Sequence, residues 1–306
     1  MKKKIKIIVI GGTGFLGFHF SKLCLKKKMT VISLSRKKPP KNKYLEKVKY
    51  LHSDISIKSQ IFKNLKYHLD ADFIVNFGGE VNHKRKNNVL KSHYFGVKNI
   101  SEIFLDQNLK KFIQIGTSLE YGKSKSPHNE LIKPKPISDY GKAKFIATTF
   151  LLNLYKKKNF PVSIVRPYQV YGPYQDKNRL IPIVIKSSLK NIKFPCSNGN
   201  QFRDFLYVDD FVRFIFQIMN SKNKDSAGEI FNVGYGKTIK VKTVIQLINS
   251  LIKKGKPIFG KIKLRKEENL ITYPNIKKAK ILLKWKPKIS FREGIKKTIN
   301  FYKKER

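Results

Sequence analysis

Residues 5–17, Ile5-Lys6-Ile7-Ile8-Val9-Ile10-Gly11-Gly12-Thr13-Gly14-Phe15-Leu16-Gly17, decide the fold of this chain. The first six form a mostly apolar, β-branched run of strand length. Four glycines follow within seven residues. From Phe15 and Leu16 onward, Phe18, His19, Phe20, Leu23, Cys24 and Leu25 read as a mostly buried helix. Strand, glycine turn and helix in that order are the context in which such a motif binds a dinucleotide. The spacing reads as G-x-x-G-x-x-G from Gly11 and as G-x-G-x-x-G from Gly12. Glycines let the backbone turn tightly and approach a pyrophosphate, and the helix start offers free N–H groups and the positive end of its dipole. The candidate contacts are Gly11, Thr13, Gly14, Phe15, Leu16 and Gly17.

Working outward, residues 30–36 form a second short strand. An acid about 20 residues past the glycines would bind the ribose hydroxyls of NAD. Ser35 and Arg36 stand there instead, followed by Lys37 and Lys38. A hydroxyl and a cation suit a 2′-phosphate, so NADP(H) is favoured as cofactor, with NAD(H) the alternative.

Further short strands are predicted at 48–52, 73–79, 112–117 and 162–165, and helices at 89–107 and 140–157. This β/α alternation argues for an α/β fold with a doubly wound parallel sheet. Prolines at 167, 173, 182 and 195 then break the regularity, as expected of a smaller substrate-binding region. The division expected is 1–167 for the dinucleotide-binding domain, with 205–235 returning to it, and 168–306 for substrate.

The chain has 306 residues, 41% of them hydrophobic and 12% aromatic, enough for a substantial core. No apolar run approaches roughly 18 residues, so no membrane helix is expected. The basic start leads straight into the glycine motif and reads as the first strand rather than a leader. Two cysteines, Cys24 and Cys196, make no disulfide framework, and neither they nor the six histidines have metal-ligand spacing. A reduced, cytoplasmic setting is the default. The net charge of +46 invites a nucleic-acid reading. Only nine of the 66 basic residues are Arg, however, and the lysines are spread along the whole length. Nucleic-acid recognition draws on clustered, Arg-containing patches with interleaved aromatics, so that reading is disfavoured.

Chemistry enters at Tyr140-Gly141-Lys142-Ala143-Lys144. Tyr140 and Lys144 are spaced i, i+4 and share one helix face. A nearby ammonium is expected to favour the phenolate and lower the Tyr pKa from about 10. Such a Tyr can move a proton at a carbonyl oxygen as hydride arrives. The strand ending Gly116-Thr117-Ser118 supplies a hydroxyl for the same oxygen.

With these residues the chain resembles the extended short-chain dehydrogenases/reductases, in particular the NAD(P)-dependent nucleotide-sugar epimerase/dehydratase group, over essentially its whole length. The glycine turn matches G-x-x-G-x-x-G. Residues 116–122, GTSLEYG, resemble the active-site strand end. Residues 166–173, RPYQVYGP, resemble the RPxxVYGP segment, and 201–210, QFRDFLYVDD, the RDFxxVxD signature. Residues 283–287, LKWKP, resemble the C-terminal LGWxP segment.

The resemblance implies a Rossmann-like first domain, a small second domain with the site between them, and a homodimer through helices 90–107 and 140–157. It implies Thr117, Tyr140 and Lys144 as catalytic residues. Asp54 and Ile55, Phe77, Gly78, Gly79 and Tyr168 would serve the cofactor beside Ser35 and Arg36. Ser118, Gln169, Arg179, Arg203 and Arg265 would serve a nucleotide-sugar substrate. Dehydratases of the group carry Asp-Glu directly after the catalytic Thr. Ser118 and Leu119 stand here, so 4,6-dehydration is not expected. His93 stands where the group has Asn. The expected activity is reduction of the C4 keto group of a nucleotide-linked 4-keto-6-deoxyhexose. The alternative is a 4-epimerase with tightly bound NAD, and a lesser one is an RNA-binding or regulatory role.

Overall fold

The computed structural model describes residues 4–80, 89–264 and 268–305. From the N-terminus run β1 (Lys6–Ile10), α1 (Phe15–Lys26), β2 (Thr30–Ser35), β3 (Val48–His52), α2 (Lys58–Leu65), β4 (Phe73–Asn76), α3 (Gly96–Ile103), β5 (Lys111–Ile115), α4 (Asp139–Lys158) and β6 (Val162–Pro167). There follow β7 (Gln169–Tyr171), α5 (Leu180–Leu189), β8 (Lys193–Pro195), β9 (Phe202–Arg203), β10 (Phe205–Tyr207), α6 (Val208–Asn220) and β11 (Glu229–Val233). The chain closes with β12 (Ile239–Lys240), α7 (Val241–Ile252), β13 (Lys256–Ile258), β14 (Ile271–Thr272), α8 (Lys277–Leu283) and α9 (Phe291–Lys304).

Seven strands make one sheet in the order β3-β2-β1-β4-β5-β6-β11. Every neighbouring pair is parallel. The strands are apolar on both sides because helices cover both faces. In β1, Ile7 and Val9 join the cluster holding Phe20 and Cys24 of α1 and Phe211 and Phe214 of α6. Ile8 and Ile10 join the opposite cluster with Ile61 and Leu65 of α2, Val97 and Ile100 of α3, and Ala147 and Leu151 of α4. Each such aliphatic side chain stabilises the fold by about 1.5–3 kcal/mol when fully buried.

Chain order reverses between β1 and β4, and in open sheets of this kind ligands bind at that switch, outside the carboxyl ends of the strands. The functional motifs follow β1, β2, β4, β5 and β6, all at that edge.

Beyond β6, three small sheets (β7 with β10, β12-β9-β14, and β8 with β13) carry the later segments. One apolar cluster runs without interruption from β1 through Ile181, Ile245 and Trp285 to Ile299. Packing is therefore continuous across residue 168. β11 adds to the edge of the main sheet beside β6, whereas β10 pairs outside it with β7.

The helix expected at 89–107 is shorter and less regular. Lys91–Phe95 form a widened, π-helical turn before α3, which ends where fully buried Phe104 turns the chain inward. Such turns break a helix where a side chain is re-aimed. Here buried His93 packs on Gly79 and lies edge-on to Tyr140, with ring centroids 5.0 Å apart. Among the described residues no helix is long and apolar enough to cross a membrane.

Candidate active site

The glycine turn is shaped by backbone approach. Gly11 has φ +74°, a left-handed conformation, and a Cβ there would lie 3.0 Å from the Gly78 nitrogen across the β1/β4 crevice. A Cβ on Gly17 would lie 2.3 Å from the Gly11 carbonyl oxygen and 2.7 Å from Gly12 Cα, so the first turn of α1 and the loop before it need this glycine to touch. Gly14 caps α1 with no side-chain hydrogen bond. The helix start thus presents main-chain N–H groups and the dipole's positive end toward the crevice, a fitting cradle for a pyrophosphate.

Around it, the Thr13 N–H donates to Ser35 Oγ at 3.4 Å, and Lys43 Nζ donates to the Thr13 carbonyl at 2.8 Å. Lys43 carried no signal in the sequence, and burial lowers its pKa. Arg36, expected beside a 2′-phosphate, is about half exposed and has an acidic partner. Its guanidinium pairs with Glu80 at 3.3 Å, a residue that β4 and the following glycines deliver from 44 positions away. Asp54 accepts from the Ser56 N–H and hydroxyl, both at 2.8 Å, which shapes the turn after β3, and Ile55 is buried beside Gly78. The Phe77 ring packs on Phe20 and Phe211, and Phe77, Gly78 and Gly79 are each partly exposed just past the end of β4.

The catalytic candidates converge from β5 and α4. Ser138 caps α4 by accepting from the Gly141 N–H, which starts the helix just before Tyr140. One turn on, buried Lys144 donates to the Ile115 carbonyl at 2.6 Å, and its ammonium lies 5.9 Å from the centroid of the Tyr140 ring. Thr117, two residues past the end of β5, hydrogen-bonds the Tyr140 hydroxyl, which favours the phenolate. The net shift nonetheless runs opposite to the expectation from the i, i+4 spacing. Burial, and then the Glu120 carboxylate, push Tyr140 up to about 12, while burial pulls Lys144 down to about 8. Lys144 gives up its charge below the range in which Tyr140 ionises, so it does not depress the phenol. Arg179, at the N-cap of α5 and expected at the substrate, lies near enough for its charge to lower Tyr140.

Below Thr117 lies a buried polar network that composition did not announce. Glu120 accepts from the Thr117 N–H at 2.9 Å and takes the Arg166 fork through Nε at 3.0 Å and Nη2 at 2.7 Å. The guanidinium rests 4.6 Å from the centre of the Tyr121 ring, whose hydroxyl donates to Asn232 at 2.9 Å. Asn232 donates to the His128 carbonyl, and His128 Nδ1 is 2.8 Å from the Tyr168 hydroxyl. Tyr168, expected at the cofactor, is therefore committed to this network by its hydroxyl. His128, one of the six histidines without metal-ligand spacing, is buried within it.

Of the other substrate candidates, Ser118 and Gln169 keep surface exposure, Ser118 partly and Gln169 openly. Arg203, on β9, is held by Glu268 at 2.6 Å and by the Phe202 and Leu270 carbonyls. Its neighbour Asp204 is buried and accepts from the Tyr235, Gly236 and Lys237 N–H groups, a main-chain anchor for the loop after β11. Arg265 lies outside the described residues.

A model of the NAD dependent epimerase/dehydratase family matches residues 7–234. The chain is 28% identical to mouse dTDP-D-glucose 4,6-dehydratase, over 98% of this chain and 89% of that protein. It is 34% identical to a UDP-glucuronate 4-epimerase from Thermodesulfobacterium geofontis, over 69% of this chain and 65% of that one. The crystal structure of UDP-glucose 4-epimerase from Thermotoga maritima with UDP-glucose superposes with a TM-score of 0.92, covering 98% of this chain and 99% of that chain at 24% identity.

Proposed function

Because the chain belongs to the NAD dependent epimerase/dehydratase family, we propose that it inverts the C4 hydroxyl of a nucleotide-linked hexose by way of a transient 4-keto sugar. The observation that carries this reading is the convergence of Thr117, Tyr140 and Lys144 at the β5 edge beside the β1/β4 crevice. The residues after Thr117 support it. Ser118 and half-exposed Leu119 offer no acid–base pair for loss of water.

The residues present fit a nicotinamide dinucleotide: the close glycine turn keeps side chains out of the crevice mouth, and the uncapped start of α1 would answer the diphosphate's charge. Bound nicotinamide supplies a hydride acceptor and donor. Tyr140 takes the proton from the sugar O4 as C4 is oxidised and returns it after the keto sugar turns its other face. Thr117 Oγ1 accepts from the Leu119 N–H at 3.3 Å, and the hydroxyl that serves Tyr140 here turns its proton to the same oxygen when the sugar binds. Lys144, fixed on the Ile115 carbonyl, has further N–H groups to orient the nicotinamide ribose. Arg179 and Arg203 are the proposed contacts to the nucleotide's phosphates.

NAD(H) rather than NADP(H) is the proposed cofactor, since the Arg36 charge is already answered by Glu80. A 4-ketoreductase is the second reading, and Arg36 beside Lys37 and Lys38 is what favours it. A homodimer is proposed through the α3/α4 face, where Leu90, Phe95 and Ile146 are exposed around a groove of about 550 Å³. The test is the cofactor released from purified protein, followed by turnover of UDP-hexoses read by NMR. Retained NAD with interconversion and no net redox change supports the epimerase. An empty protein that consumes NADPH with a nucleotide-4-keto-6-deoxy sugar overturns it in favour of the reductase.

A further inference from the structure

Glu120 and Arg166 are both essentially unexposed, at 0% and 1% of their side-chain surface. A bidentate, desolvated pair of this kind adds little net stability relative to a well-packed apolar pair, so stability alone is a weak reason for it. Its placement supplies another. One Glu120 oxygen holds the Thr117 N–H, closing a reciprocal cap in which the Thr117 hydroxyl accepts from Leu119. The other oxygen is locked by Arg166, which reaches over from β6. A Cβ on Gly116 would lie 2.5 Å from Glu120 Oε1, so the carboxylate is folded directly back under the end of β5.

We propose that Glu120, backed by Arg166, is the positioning residue of this site: it clamps the Thr117 main chain and sets a fixed negative charge beneath Tyr140 and Lys144. The inference rests on the reading of those three residues as the reaction site. The groups facing the carboxylate are Arg166 from β6, Tyr121 from its own turn, and Tyr140 and Lys144 from α4. Arg179 faces Tyr140 from α5, and Glu130 and His128 lie on the far side of Arg166. Tyr140 feels the carboxylate as a like charge to its phenolate, and Lys144 feels it as a counter-charge.

The test uses two double variants, because Glu120→Gln alone would leave a buried guanidinium unpaired. Glu120→Gln with Arg166→Gln keeps an acceptor for the Thr117 N–H and a neutral partner for it, but removes the charge. Glu120→Leu with Arg166→Met removes charge and clamp together. Unfolding is followed by fluorescence of Trp285, the one tryptophan, which is fully buried. The Gln/Gln protein is expected to hold its Thr117 amide against hydrogen exchange and to shift the rising limb of kcat against pH down by about one unit. The Leu/Met protein is expected to lose Thr117 amide protection and about 100-fold in kcat, with KM for the nucleotide sugar little changed. Wild-type amide protection and wild-type pH profiles in both folded variants overturn the proposal. If the wild-type protein turns over no nucleotide hexose, the reaction reading fails, and Thr117 amide exchange in the same variants still decides the clamp.

Discussion

At the residue scale, chemistry is set by what surrounds a side chain rather than by its type. Tyr140 was legible from the YxxxK spacing, but its pKa was not, because burial and Glu120 outweigh the stabilising hydroxyl of Thr117. Tyr140→Phe is expected to lower kcat by about 10²–10⁴-fold while leaving the Trp285 unfolding transition in place. The pH dependence follows from two opposed groups. In the proposed reaction, oxidation of the sugar needs the phenolate, whose fraction rises with pH because Tyr140 sits up at about 12. Lys144 gives up its charge through about pH 8. The oxidation rate should therefore rise with pH and flatten near 8, and Lys144→Met should abolish the inflection in a pH–rate series. Arg36 teaches the same lesson about charge. Its position after β2 could be read, but its pairing with Glu80 could not. Glu80→Gln should free the guanidinium and tighten NADP⁺ binding about tenfold relative to NAD⁺, as measured by calorimetric titration.

At the element scale, local pattern and tertiary contact divide the work. The strand–glycine–helix unit was readable because its periodicity changes where the glycines fall. Gly17→Ala would drive a methyl into the Gly11 carbonyl, and no flexible side chain can yield there. The expected outcome is loss of at least tenfold in dinucleotide affinity together with a lowered melting temperature, both measurable on one preparation. The widened turn at Lys91–Phe95 was not readable, since it answers the packing of His93 on Gly79. Nor was Lys111, which opens β5 yet lies buried, donating to the Ile218 and Ser221 carbonyls and to the Ser221 and Ser226 hydroxyls. Lys111→Met leaves those carbonyls unanswered and should cost about 2 kcal/mol in a denaturant titration. Burial pulls Lys111 down to about 8, below its usual 10.5. From about pH 8 to 10.5 the unfolded chain keeps a proton that the folded chain releases, so this residue's contribution to stability rises with pH there, and the variant should lack that rise.

At the scale of the whole molecule, the +46 charge does not disturb the interior: charged side chains occur there where they are hydrogen-bonded, as Lys111, Lys144 and Arg166 are. The exposed apolar side chains of Phe95 and Ile146 beside the α3/α4 groove motivate the proposed dimer. Ile146→Glu should convert a dimer to a monomer in analytical ultracentrifugation at low micromolar concentration, and a wild-type monomer would refute the assembly. What the sequence by itself determined is the parallel, doubly wound sheet, the strand–glycine–helix unit that opens it and the helix that carries Tyr140 and Lys144 one turn apart. These rest on short-range information: hydrophobic period, glycine spacing, and residues one helical turn apart. Only the tertiary structure decided which charges are already answered. Glu80 meets Arg36, Glu268 meets Arg203 and Glu120 meets Arg166 across 44, 65 and 46 residues. Such pairings depend on which strands end side by side, and spacing along the chain does not carry that information.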